Sequence, residues 1–178
     1  RSNSTLEKAI ELGLVDSVKD NLKDAVNNSD LVILATPLST FRELVEEMSP
    51  FLKKGCIITD TGSAKLTVIE DLKDILPNGV EFVPGHPIAG TEESGPDAGF
   101  AELFDNRWCI LTPTEDNSSN AVDLVKGFWE SIGSKVEIMD PMHHDKVLAI
   151  TSHIPHLIAF NIVGTANNLA NVTEKEVV

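Results

Sequence analysis

The sequence predicts an α/β domain, doubly wound around a mostly parallel sheet, and three observations predict it. Short runs of apolar, largely β-branched residues recur along the first 140 positions, without the polar alternation of a half-exposed strand. Segments with apolar residues at helical spacing separate most of these runs. Side chains able to do chemistry fall where the runs end, which is where such sheets gather their ligands.

The elements come in order. "DLVILATP" (30–37) is a buried strand stopped by Thr36 and Pro37. "STFRELVEEMSPFL" comes next, with Phe41, Leu44, Val45 and Met48 at helical spacing. Ser39 or Thr40 is its expected N-cap and Glu43 a capping-box partner. "CIITDTGS" (56–63) is a second strand and "KLTVIEDLKDIL" a second amphipathic helix. "VEFVPGHP" (80–87), "WCILTP" (108–113) and "KVEIMD" (135–140) are three more strands. The helix "AVDLVKGFWESIG" lies between the last two, and Gly133 is placed to end it. From Pro141 the pattern changes. "HHDKVLAITSHIPHLIAFNIVGTANNLA" reads as one long, mostly apolar helix with no strand after it, so a domain boundary is expected near residue 140.

Composition narrows the partners. With 178 residues, 42% hydrophobic and 24% charged, the chain is globular rather than disordered. Its formal charge of -14, from 14 Lys and Arg against 28 acids, argues against a nucleic-acid partner. The same charge repels anionic substrates at long range, so an anion site needs local donors. No consecutive apolar run reaches the roughly 18 residues that span a bilayer, and no membrane partner is expected. Cys56 and Cys109 sit in apolar strands and read as small buried hydrophobes, which fits a cytoplasmic setting. The ends, Arg1 and "EKEVV", suggest a fragment. The opening "RSNSTLEKAIELGLVDS" resembles the segment after the second strand of a dinucleotide-binding domain. There a side chain chooses between a ribose hydroxyl and a 2′-phosphate, and Arg1 stands beside that choice.

The five histidines fall in two places: His86 at the end of the third strand, and His143, His144, His153 and His156 on the long helix. On a regular helix, Asp145, Ser152 and His156 fall within about 40° of each other, with His153 about 60° further round. Pro155 cannot donate to the carbonyl of Thr151, so it frees an acceptor and bends the helix. Zinc is one reading of these imidazoles. Helical zinc pairs are usually spaced i, i+4, however, whereas His153 and His156 are three apart with a proline between. The expected reading is a base and hydrogen-bond donors around an organic substrate, with no metal.

Four stretches, "TDTGSAK", "GHPIAGTEESGPDAGFAELF", "WCILTPTE" and "HHDKVLAITSHIPHLIAF", occur in this order. They resemble the prephenate and arogenate (cyclohexadienyl) dehydrogenases of tyrosine biosynthesis, and the resemblance covers nearly the whole chain. It implies a Rossmann domain over 1–140, lacking its first strand and glycine-rich loop. Residues 141–178 would then open an all-helical domain that forms a homodimer. The implied reaction is oxidative decarboxylation of prephenate, or of arogenate, by hydride transfer to NAD, with NADP the alternative.

The resemblance also casts residues. His86 takes the proton of the ring hydroxyl; Ser63 bonds that hydroxyl and helps to orient His86. Thr36 and Pro37 lie under the nicotinamide ribose, with Arg1 and Ser63 also at the cofactor. Glu92, His144, Ser152, His153 and His156 line the substrate pocket. Gly85 and Pro87 are read as a turn that aims His86 into the cleft. The family's carboxylate-binding arginine falls beyond Val178, and Arg1, Arg42 and Arg107 stand outside its motif. A β-hydroxyacid-type dehydrogenase is the rival enzyme, with Lys146 as its acid, but it leaves His86 unexplained. A non-catalytic ligand-binding or dimerisation module is the third reading, and the intact set of His86, Ser63 and His153 counts against it.

Overall fold

The computed structural model describes residues 3–173 apart from Glu92 and Ser94, with side chains as far as residue 169. Arg1 and Glu92, two of the expected site residues, lie outside the described residues. Helices α1 (Asn3–Glu11) and α2 (Leu22–Val26) lead into strand β1 (Leu31–Leu34). Helix α3 (Phe41–Met48), strand β2 (Ile57–Asp60), helix α4 (Leu66–Leu72) and strand β3 (Glu81–Val83) complete a parallel sheet of order β1-β2-β3. Strand β4 (Gly85–Pro87) follows at once and pairs antiparallel with β5 (Trp108–Leu111). After helix α5 (Ser119–Ser131), strand β6 (Lys135–Ile138) pairs parallel with β5.

The winding is visible in the core. Neighbouring residues on one strand point to opposite faces. Ile58 and Phe82 accordingly join a cluster with Phe41, Val45, Val68 and Leu72 on the face covered by α3 and α4. Their neighbours Ile57 and Val83 join Cys109 and Leu111 against Val125 and Trp129 of α5. Strands buried on both faces need no polar alternation, which is why Ile57 and Ile58, and Phe82 and Val83, stand side by side in sequence.

The run 80–87 is two strands rather than one. The chain changes sheets at Pro84, whose carbonyl accepts from Thr112 N–H. Gly85 N–H then turns to the Asp60 carboxylate at 3.0 Å instead of to a neighbouring strand. His86 therefore sits in a short strand, and Gly85 is not the turn expected of it. A Cβ at Gly85 would stand 2.9 Å from the Asp60 carbonyl and 3.2 Å from Thr59 Oγ1, so this glycine permits close approach.

Two helix ends are informative. Gly133, at φ +92°, ends α5: its N–H bonds to the Glu130 carbonyl, and Ser134 N–H bonds to that of Trp129, a Schellman closure. The capping box expected at α3 does not form. A 3₁₀ turn, Leu38–Thr40, runs straight into α3, and the Thr40 hydroxyl bonds back to the Pro37 carbonyl at 2.8 Å.

The long helix is continuous but not uniform. Helix α6 (Pro141–Leu148), N-capped by the Asp140 carboxylate, passes through a π turn (Ala149–His153) into α7 (Ile154–Thr173). Pro155 brings no N–H to the ladder, and the wider π turn just before it absorbs that loss. Pro141–Leu169 is long and apolar enough to cross a membrane by length and composition, with an 18-residue stretch of mean hydropathy 1.5. Reading consecutive residues missed this, because Ser152, His153, His156 and Asn161 interrupt the apolar runs.

Candidate active site

The chemistry collects where β1, β2 and β4 meet the start of the long helix. At its base lies an ion pair. Lys65 Nζ, fully buried, donates to Asp60 at 2.5 Å and to the Gly85 carbonyl at 2.6 Å. The Asp60 carboxylate also accepts from Gly62 N–H (2.8 Å) and Gly85 N–H. Burial drives both partners toward their neutral forms, raising Asp60 and lowering Lys65, while their mutual attraction opposes the shift. This clamp ties the end of β2 to the strand that carries His86.

His86 stands above it. Its Nδ1 lies 2.9 Å from His144 Nε2, the rings meeting edge to face, and His144 Nδ1 lies 2.8 Å from Asp145 Oδ1. Asp145 also accepts from the backbone N–H of Lys65 (2.9 Å) and of Leu66 (3.0 Å), capping α4 from a different element. Burial opposes ionisation of Asp145, but these bonds outweigh it and hold the carboxyl below its ordinary value. Burial lowers His144 although Asp145 pulls the other way. Burial, then His144, Lys65 and His153, bring His86 down to about 4. At neutral pH His86 is therefore wholly uncharged and a weaker base than a free imidazole.

A cleft of about 470 Å³ opens beside it, lined among others by His86, Thr91, Phe100, Glu102, Arg107 and Ser152. With Nδ1 engaged, Nε2 of His86 is the ring nitrogen left for a ligand there. Among the described residues no group of three His, Cys, Asp or Glu side chains converges as a metal site would.

The expected residues divide accordingly. His86 and Ser152 share the cleft. Ser63 is exposed on the loop after β2, and the described hydrogen bonds give His86 His144 as its partner rather than Ser63. His144 is 0% exposed, between His86 and Asp145, not an open pocket wall. His153 and His156 are exposed, and the π turn breaks the regular phase that had aligned His156 with Asp145. Thr36 and Pro37 are exposed after β1, with the Thr36 hydroxyl 2.8 Å from that of Thr40. Lys146 is exposed and outside the cleft lining.

Sequence reasoning passed over Asp60, Lys65 and Arg107 as parts of the site, and placed Asp145 only on a helical stripe. An acid and a lysine five apart across a Gly-Ser turn were the available signal for the clamp. Nothing in the spacing announced that Asp145 reaches α4.

Fold and site together define a nucleotide-binding α/β domain that runs directly into a helical segment and places a neutral histidine at their junction. Residues 1–138 match the family described as "Prephenate dehydrogenase, nucleotide-binding domain", and residues 140–178 match "Prephenate dehydrogenase, dimerization domain". The chain belongs to the prephenate dehydrogenase family.

A cyclohexadienyl dehydrogenase of Zymomonas mobilis is 46% identical over 92% of this chain and 56% of its own length. The structure of Aquifex aeolicus prephenate dehydrogenase in complex with hydroxyphenyl propionate and NAD+ is similar at a TM-score of 0.87. It is 38% identical, over 94% of this chain and 58% of that one. Synechocystis arogenate dehydrogenase matches at a TM-score of 0.82 and 29% identity, over 97% of this chain and 64% of that one. The chain spans about half the length of the curated relatives it matches.

Proposed function

We propose that this chain is the nucleotide-binding domain, with the first helix of the dimerisation domain from residue 141, of an NAD-dependent prephenate or arogenate dehydrogenase. NADP is the alternative cofactor, and the whole enzyme is a cytoplasmic homodimer. One observation carries the reading: a neutral histidine on the cleft wall, with Nδ1 tied back and Nε2 left for a ligand. Membership of the family and the NAD+ complex of its Aquifex relative support it.

The residues present fit the nicotinamide end of such a cofactor. Thr36 and Ser63 offer exposed hydroxyls after the adjacent parallel strands β1 and β2, where ribose and carboxamide groups are suitably met. Thr36, Pro37 and Ser63 would hold it there, and when bound the cofactor supplies the hydride acceptor. His86 Nε2 takes the proton of the ring hydroxyl as hydride departs from the same carbon. The new ketone is conjugated to the ring. Loss of carbon dioxide then leaves an aromatic phenol, so the protein's task is to position the groups. Ser152 and Arg107 on the cleft lining, with His153 next to Ser152 in sequence, would be the donors that meet an anionic substrate against the overall negative charge.

The test is reduced-nicotinamide formation by the full-length protein, with prephenate and arogenate each offered with NAD and NADP. Turnover of at least one pair is expected. No turnover of any pair by folded, dimeric protein would overturn the assignment.

A further inference from the structure

We propose that Asp145, His144 and His86 form a relay that fixes both the tautomer and the aim of the base, making His144 a positioning residue rather than a wall of the substrate pocket. This rests on the reading of His86 as the base. Both Asp145 oxygens are occupied by donors: Oδ1 takes Lys65 N–H and the His144 ring, and Oδ2 takes Leu66 N–H. An ionised carboxylate only accepts, so His144 Nδ1 carries the hydrogen. The other nitrogen of neutral His144 therefore presents a lone pair to His86 Nδ1 at 2.9 Å. Two lone pairs do not meet at that distance, so His86 Nδ1 is the donor, and its Nε2 keeps the lone pair that a proton acceptor needs.

The consequence is specific. An imidazole free in water favours hydrogen on Nε2, the tautomer unable to accept from the cleft. The relay selects the opposite one, starting from two backbone N–H groups that cannot titrate. It also provides for the proton once taken. The electrostatic effects of Lys65 and His153 oppose protonation of the His86 ring, burial pushes the Cys109 thiol up to about 12, and Asp145 favours the imidazolium. Because Asp145 also caps α4, the same carboxylate ties the loop bearing Ser63 to the base.

Two variants of the full-length enzyme separate positioning from packing. His144→Gln keeps an oxygen able to accept from His86 Nδ1–H. His144→Leu fills the buried site without one. Packing alone would favour leucine. The relay predicts that His144→Leu lowers kcat by roughly 10- to 100-fold with KM little changed, while His144→Gln keeps most of the rate. Ring-nitrogen NMR without substrate should find hydrogen on His86 Nδ1 in the wild type and the glutamine variant, and on Nε2 in the leucine variant. Leucine matching or exceeding glutamine in kcat would overturn the proposal, as would hydrogen on His86 Nε2 in the wild type, which needs no variant to fold. A wild type inactive on both substrates sinks the functional assignment, yet the NMR still reads the relay.

Discussion

The two halves of the long helix share one backbone but not one environment. In α6, His144 and Leu148 are buried, and His144 and Asp145 are hydrogen-bonded to β4 and α4. Beyond the π turn the side chains that a core would take inside stand in the open: Phe160 is 79% exposed and Ile150, in the turn itself, 66%. The first half is therefore part of the frame that holds the base. The second is apolar without being covered by residues 3–169, as suits the opening helix of a domain described as a dimerisation domain. The π turn marks the change, letting one helix serve two packing partners with different phases.

That contrast makes measurable demands. The largest effect belongs to the base: His86→Gln in the full-length enzyme should lower kcat by about 10²- to 10⁴-fold with a much smaller change in KM. Steady-state rates within threefold of wild type would remove His86 from the chemistry. Next comes the packed body. Trp129, 2% exposed on the inner face of α5, should cost about 3–5 kcal/mol when changed to alanine, read by denaturant unfolding of this chain. Phe160→Ala on α7 should cost under about 0.5 kcal/mol in the same chain, and equal losses would erase the distinction between the two regions. The smallest effect is expected at the boundary. His153, exposed in the π turn, should on change to asparagine raise KM about tenfold with less effect on kcat. A loss confined to kcat would place it in proton transfer instead.

How far the sequence carried differs between these regions for physical reasons. Strand and helix identities were legible because burial on both faces leaves an apolar run, and a single covered face leaves a helical stripe. Gly133 was legible because a helix end has local chemistry. The break at Pro84 was not, since it depends on a side chain 25 residues away, Asp60, taking the Gly85 N–H. Nor was the π turn, which shifts the phase on which the stripe of Asp145, Ser152 and His156 was drawn. His86 was found from its motif, but its partner His144 lies 58 residues later, held in turn by the neighbouring Asp145. No periodicity reports a hydrogen bond of that span. Arg1 and Glu92 stand as family expectations alone.

The central claim is that burial above all holds His86 neutral as a base at the cleft. The dependence of kcat/KM on pH in the full-length enzyme tests it most directly, since that ratio reports the free enzyme. Lys65, His144 and His153 disfavour the charged ring and Asp145 favours it, with burial dominant, for a value of about 4. Protonation removes the Nε2 lone pair, so activity is lost as pH falls through that value and is level from there to neutrality. The expected profile has an acid limb near 4 that disappears in the residual activity of His86→Gln; a His86-dependent limb at the ordinary histidine value of about 6.5 or above would contradict the claim.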